Sequence, residues 1–340
     1  MKLAVVLFNL GGPDSPEAVE PFLRNLFSDP AIISLPAIVR LPLAWWIAKR
    51  RAPVARKIYD HIGGRSPIFE ETRKQANALE IALSGEDVEA KAFVAMRCWH
   101  PFSDGAARAV KAFGPDKIVL LPLYPQYSTT TSASSLKDWA RAAKKAGLKI
   151  PTSQVCCYPH EPGFVASVAA RIGEAARDLN PGTGYRLLLS AHGLPKRTIA
   201  KGDPYQWQVE QSAAAVARAL NRPELEAVVC YQSRVGPLEW IGPATDAEIV
   251  RAGKDGKGVI LAPIAFVSEH SETLVELDIE YRKLAAEAGV PDYRRAATVG
   301  THPDFIEGLA GLVRQALDRK IVTCEEGRIC PASHRRCGYG

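Results

Sequence analysis

Short runs of Val, Ile and Leu alternate with alanine-rich helical stretches along the chain, and three strand–loop units recur in the same order. "LAVVLFNLGGP" (3–13) is echoed by "RLLLSAHGLP" (186–195). "VEAKAFVAMRCWHP" (88–101) is echoed by "LEAVVCYQSRVGP" (225–237), and "KIVLLPLYPQYS" (117–128) by "GVILAPIAFVSE" (258–269). Strands covered by helices on both faces read as continuous apolar runs, because neither face meets water. Strand–helix alternation is the pattern of a doubly wound parallel α/β sheet. The repeated order predicts two similarly built domains, and 340 residues exceed what one core usually serves. The boundary falls near "LKIPTSQVCCYPHEPG" (148–163).

Ligands of open α/β sheets bind beyond the carboxyl ends of the strands. There the first half carries Asn9, Arg97, Tyr124 and Ser128, and the second carries His192, Gln232, Ser233, Glu269 and His270. Two domains facing each other across these ends would enclose one cleft. Within "APIAFVSEHSETLVELDIEY" (262–281), Glu272, Glu276 and Glu280 recur every fourth residue. At α-helical spacing their carboxylates stack on one face, where like charges repel. Such a ladder, with His270 at its mouth, invites a cation. A neutral imidazole such as His192, placed between a buried strand and a Gly/Pro turn, can bind a borderline divalent metal or take up a proton near neutral pH.

Other segments carry weaker signals. The stretch 31–59, "AIISLPAIVRLPLAWWIAKRRAPVARKIY", is the most apolar, but Pro36, Arg40 and Pro42 exclude a transmembrane helix. Trp45 and Trp46 ahead of Lys49, Arg50 and Arg51 suit a membrane interface or a flat apolar ligand with acidic edges; the bland alternative is a helical hairpin packed on the core. "NLGGPDS" has glycines after a strand but neither the GxGxxG nor the Walker spacing, so it reads as a tight turn. Trp240, between two Gly–Pro turns, is a candidate wall for a flat ligand or a core aromatic. In the tail "CEEGRICPASHRRCGYG", Cys324, Cys330 and Cys337 with one thiol of Cys156–Cys157 would supply the four thiolates of a 2Fe–2S cluster. The alternative is a disordered tail with incidental cysteines.

Composition excludes several classes. At 47% hydrophobic and 24% charged, the chain is neither disordered nor membrane-spanning. The net charge of +6 admits an anionic partner, but no basic block is interleaved with aromatics, which argues against nucleic acid. The opening "MKLAVVLFNLGGPDSP" is cut by Asn9 and lacks a small-residue cleavage site, so it reads as a buried strand and not a signal peptide. The cytoplasm is the default compartment, where seven Cys are reduced or metal-bound.

Taken together, "NLGGPDSPEAVEPFLRNLFSDP", "IGGRSPI", "LPLYPQYSTTT", "SAHGLP", "YQSRVGPLEWIGP" and "FVSEHSETLVELDIEY" make the chain resemble ferrochelatase from about residue 3 to 320. That family inserts ferrous iron into a porphyrin. The resemblance implies two Rossmann-like, chelatase-type domains facing across a porphyrin cleft. On this reading the first domain is 1–155 with an apolar lip at 31–59, the second is 156–303, a helix at 304–323 returns to the first, and 324–340 is a Cys-rich tail. Matching by motif, His192 and Glu272 are the catalytic and metal-insertion pair, and Glu276 and Glu280 continue an acidic path for metal or protons. Arg51, Tyr59, Ser66, Arg97, Tyr124, Ser128, Trp240 and His270 match the porphyrin pocket. Some members carry a 2Fe–2S cluster; here its ligands would be Cys157 (or Cys156), Cys324, Cys330 and Cys337. Arg65, often Gly in the family, and Cys98, often aromatic, depart from the pattern.

The implied reaction makes protohaem from protoporphyrin IX and releases two protons, with ferrous iron as substrate and no nucleotide. Peripheral membrane contact through the lip at the inner membrane face and a homodimer are further expectations. The rival readings are a coproporphyrin chelatase, a cobalt or nickel chelatase of the same fold, and a non-catalytic haem carrier or iron–sulfur sensor. The long lip and "LPLYPQYSTTT" argue against the cobalt or nickel reading, and a mere carrier would leave the acidic ladder unexplained.

Overall fold

A computed structural model describes residues 1–234 and 238–340. Its strands are β1 (Lys2–Asn9), β2 (Glu89–Met96), β3 (Lys117–Pro122), β4 (Thr152–Cys157), β5 (Tyr185–His192), β6 (Glu226–Gln232), β7 (Gly258–Pro263), β8 (Tyr293–Arg295) and β9 (Ile321–Thr323). They form two sheets, ordered β2-β1-β3-β4-β9 and β6-β5-β7-β8, and every pairing is parallel. The chain divides into two compact units. One is Met1–Cys157 with Leu309–Gly327 and Tyr339; the other is Tyr158–Gly308 with Arg328–Gly338 and Gly340.

The internal echo is a topological one. In each sheet the first strand of the unit lies between the second and third, with the fourth beyond the third, so β1, β2 and β3 correspond to β5, β6 and β7. The central strands are buried along nearly their whole length: Leu3 to Phe8 in β1 and Leu187 to Ala191 in β5. Burying each such large apolar side chain contributes about 1.5–3 kcal/mol, which is why these runs carry no alternation. Helices Ser103–Phe113 and Ser132–Ala146 close on Gly114 and Gly147 at φ 64° and 70°, left-handed positions that glycine takes at little cost.

Two helices differ from the expectation of the sequence. The lip forms a single helix, Ala37–Asp60, with Pro42 and Pro53 inside it, and not a hairpin. Its small Ala44, Ala48 and Ala52 are buried, while Ile38, Leu41, Trp45, Trp46 and Val54 face outward. Lys49 and Arg50 lie over the rings of Trp45 and Trp46, at 5.1 and 5.0 Å. Among the described residues, no helix is long and apolar enough to cross a membrane. The acidic ladder is carried by a π-helix, Glu272–Glu280, and not by an α-helix. Its wider turn closes with the Tyr281 N–H on the Glu276 carbonyl, an i→i+5 bond. From β8, the Tyr293 hydroxyl donates to the Leu277 carbonyl at 2.5 Å, a tertiary bond that four-residue spacing cannot anticipate.

Candidate functional site

The second unit gathers its polar residues where its strand order reverses, between β5 and β7, the place where doubly wound sheets hold ligands. His192 ends β5, and the π-helix follows β7 after a short segment. His192 Nδ1 lies 2.9 Å from Glu272 Oε2. A carboxylate only accepts, so Nδ1 carries the proton and Nε2 holds the lone pair. The Tyr205 hydroxyl donates to the His192 carbonyl at 3.0 Å and fixes the strand end. Gly193 follows; a Cβ there would sit 2.9 Å from the Gln232 carbonyl and 3.4 Å from the Trp240 ring. Glycine thus lets Trp240 pack beside the histidine turn.

Charge explains the protonation of the pair. Burial, the largest influence, would lower the His192 pKa. The charge and hydrogen bond of Glu272, then the charge of Glu276, outweigh it and raise the value above 6.5. The ring is 37% exposed, so the burial penalty is the influence to discount. For Glu272 burial likewise opposes ionisation, but His192, His270 and the Ser233 hydroxyl hold its carboxyl below the usual range.

Ser233 connects this pair to Glu276. It adopts φ 60°, a left-handed conformation uncommon for a non-glycine residue. Its N–H reaches Glu276 Oε1 at 2.9 Å, and its Oγ lies 3.1 Å from Glu272 Oε2 and 2.5 Å from Glu276 Oε2. One hydroxyl has one proton and can donate to one carboxylate only. The hydroxyl can therefore turn between Glu276, the nearer acceptor, and Glu272. Burial, and then the charge of Glu272, raise the pKa of Glu276. Ser233 Oγ donates to Glu276 or to Glu272, and Glu272 accepts from His192. Tyr281 donates to Glu276 Oε1 at 3.1 Å. Hydrogen-bonding contacts thus run without a gap from His192 through Glu272 and Ser233 to Glu276. Glu280, the third rung, is exposed at the far end of the π-helix.

His270 is buried, its Nδ1 on the Ser268 carbonyl at 3.0 Å and its backbone N–H on Thr273 Oγ1 at 2.9 Å. Phe266 stands between the two histidines, its ring 6.5 Å from His192 and 4.5 Å from His270. Phe266, Tyr205 and Tyr281 escape sequence reasoning because nothing in their local pattern separates them from core aromatics. Tyr281 is five residues past Glu276, a spacing that has meaning only once the helix is known to be π.

The ferrochelatase family model covers residues 2–317. A ferrochelatase of Phenylobacterium zucineum is 56% identical over 99% of this chain and 98% of its own. One of Pelagibacter ubique is 48% identical over 99% and 98%. This chain belongs to the ferrochelatase family. Among solved structures, the sirohydrochlorin chelatase SirB of Bacillus subtilis subspecies spizizenii, in complex with cobalt, aligns with a TM-score of 0.55. It shares 14% identity over 94% of this chain and 96% of that one. SirB from Bacillus subtilis with Fe3+ gives 0.51 at 16% identity, over 93% and 96%. At these identities the likeness concerns the fold, two parallel-sheet α/β domains of the chelatase type.

The remaining residues singled out by the ferrochelatase resemblance lie in the first unit. Arg97, just beyond β2, donates from Nε to Ser134 Oγ at 2.7 Å and pairs with the buried Asp29 at 2.9 Å. Tyr124 and Ser128 follow β3. Tyr124 packs against the core of the first sheet, and burial pushes its hydroxyl pKa up. Ser128 is buried, with Thr130 Oγ1 at 2.9 Å. Ser66 is buried against Gly12, and Tyr59 is buried in the lip helix. Arg51 is exposed on that helix, over the Phe27 ring at 5.9 Å. The Gly236–Pro237 turn before Trp240 lies outside the described residues.

The cysteines expected to ligate a 2Fe–2S cluster are buried, apart from the half-buried Cys324. Among the described residues, no three His, Cys, Asp or Glu side chains are gathered to hold a metal ion. Cys157 is buried at the end of β4 in the first unit, whereas Cys330 and Cys337 are buried in the second. Cys330 Sγ accepts the Gln208 amide at 3.0 Å. Nor is the tail a loose appendage. Arg328 binds the carbonyls of Cys330, His334 and Gly340 at 3.1, 2.8 and 2.9 Å, and Trp207 lies against His334.

Proposed function

We propose that this chain inserts ferrous iron into protoporphyrin IX, releasing two protons, as the terminal step of haem biosynthesis. The observation that carries this reading is the His192–Glu272 pair at 2.9 Å, backed by Ser233 and Glu276, at the switch point of a chelatase fold. With Nδ1 committed to Glu272, His192 presents the Nε2 lone pair outward. It takes up pyrrole protons as general base, and the Glu272 charge stabilises the imidazolium that forms. Protons leave through Glu272, Ser233 and Glu276. Iron exchanges water for imidazole nitrogen and carboxylate oxygen before meeting the porphyrin nitrogens; both ligand types suit a divalent ion of intermediate softness. In the second unit Trp240 carries a flat ring of the kind that stacks on a macrocycle, and in the first unit Arg51 and Arg97 carry guanidinium groups of the kind that pair with carboxylates.

The chain is read as cytoplasmic, meeting the membrane face through Ala37–Asp60. Exposed Trp45 and Trp46 with Lys49 and Arg50 above them are suited to the interfacial layer, where an apolar porphyrin also partitions. That apolar face favours protoporphyrin over the four-propionate coproporphyrin.

The test is an anaerobic insertion assay offering Fe2+, Co2+ and Ni2+ with protoporphyrin, coproporphyrin and sirohydrochlorin in parallel. Fe2+ with protoporphyrin should give the highest kcat/KM, and His192→Ala should lose at least a hundredfold. A folded His192→Ala variant at near-full rate would sink the assignment of that residue, and a wild-type protein that inserts no iron would sink the function.

A further inference from the structure

The π-helix that carries Glu272 and Glu276 is held from β8 by Tyr293 and by one charged side chain. Arg295, the last residue of β8, is nearly buried, with 11% of its side chain exposed. Its Nη1 donates to both oxygens of Glu269, at 3.0 and 3.3 Å, and to the Ala296 carbonyl at 3.2 Å. Its Nε lies 3.3 Å from Asp278 Oδ2, an ion-pair contact without a hydrogen bond, while Arg282 pairs with Asp278 Oδ1 at 2.6 Å. Glu269 stands three residues before Glu272 and also accepts the Thr298 N–H at 3.0 Å; Asp278 lies inside the π-helix. One planar guanidinium thus spans the entry and the body of the helix. Its rigid fork holds two carboxylates in a fixed relative orientation, which a lysine ammonium on a flexible stem does not. A π-helix lacks the intrinsic stability of an α-helix and needs such outside support to keep its wide pitch.

We propose that Arg295 is a positioning residue for metal insertion. By tying Glu269 to Asp278 it fixes the separation of the 269–272 turn from the π-helix, and so the reach of Glu272 to His192 and of Glu276 to Ser233. It touches neither metal nor porphyrin. The inference rests on the proposed function for its consequence in turnover, but its geometry is tested without turnover.

The test compares wild type with Arg295→Gln and Arg295→Lys, each first shown to be folded by circular dichroism and thermal melting. Anaerobic Co2+ titration reports the site through its d–d spectrum, with His192→Ala marking the signal that belongs to the pair. Arg295→Gln should weaken Co2+ binding at least tenfold and shift the band envelope, with Arg295→Lys in between. In turnover, Arg295→Gln should lower kcat and raise the iron KM at least tenfold together, leaving the porphyrin KM within twofold. A folded Arg295→Gln with wild-type Co2+ spectrum, affinity and kcat would overturn the proposal. So would a loss that merely tracks the unfolded fraction, or one shared equally by the porphyrin KM. A wild-type protein that inserts no iron would defeat the functional reading, while the cobalt comparison would still decide the role of Arg295. If Arg295→Gln does not fold, the comparison of Arg295→Lys with wild type decides it by the same criteria.

Discussion

Replacing Glu272 by Gln isolates the charge of the His192 pair from its geometry. Glutamine Oε1 can still accept from Nδ1 at the 2.9 Å separation, so the tautomer and ring orientation survive while the negative charge is lost. A hydrogen bond to a charged group is worth about 1.5–3 kcal/mol, and each pKa unit corresponds to about 1.4 kcal/mol. The full effect would lower the His192 pKa by about one to two units. The ring is 37% exposed, and solvent screening reduces the expectation to about one unit. In the wild type His192 must be neutral to accept a pyrrole proton, so kcat/KM falls as pH drops through its raised pKa. In Glu272→Gln that acid limb should move about one unit to lower pH. The plateau rate should fall about 10- to 100-fold, the usual cost of losing a partner that sets ligand basicity. The assay is the anaerobic loss of porphyrin fluorescence between about pH 5.5 and 9, with melting curves to confirm the fold. A folded variant whose acid limb stays in place, or moves upward, would refute the assignment of His192 as the base and Glu272 as its charge partner.

Glu276→Gln should separate stability from function. Burial and Glu272 raise the Glu276 pKa, so its folded-state stabilisation is present at low pH and fades as pH rises through that value. The neutral amide should therefore leave the melting temperature near pH 8 unchanged or higher, while proton release slows insertion several-fold; a fall in melting temperature at full rate would contradict this. Gly12→Ala should destabilise the first unit by about 1–3 kcal/mol, as overpacking does, because the new Cβ would meet Ser66 Cβ at 2.5 Å. A thermal melt within a degree of wild type would show that the Ser66 turn yields freely. Replacing Trp45 and Trp46 by Ser should reduce sedimentation with anionic vesicles at least fivefold, leaving turnover of detergent-dispersed porphyrin within twofold; unchanged vesicle binding would remove the lip helix from the membrane reading.

The division between sequence and structure follows the range of the forces involved. Strand and helix alternation is local, and it carried the two parallel α/β sheets and the equivalence of β1 with β5, β2 with β6 and β3 with β7. The position of His192 at a strand end and the acidic spacing from Glu272 to Glu280 were also legible, because both are one-dimensional patterns. What the sequence could not express is whatever depends on a partner distant along the chain. The ladder reads as α-helical until Tyr293 and Arg295 of β8 grip it and hold a π-turn open. Ser233 looks like one polar residue among several until φ 60° turns its N–H and hydroxyl toward Glu272 and Glu276. The sulfur of Cys330 takes the Gln208 amide of a helix 122 residues away, a partner that cysteine spacing cannot anticipate. Residue types and their order determined what chemistry this chain is equipped for; tertiary packing decided which of those groups meet, because hydrogen bonds and proton lines act over ångströms and not along the chain.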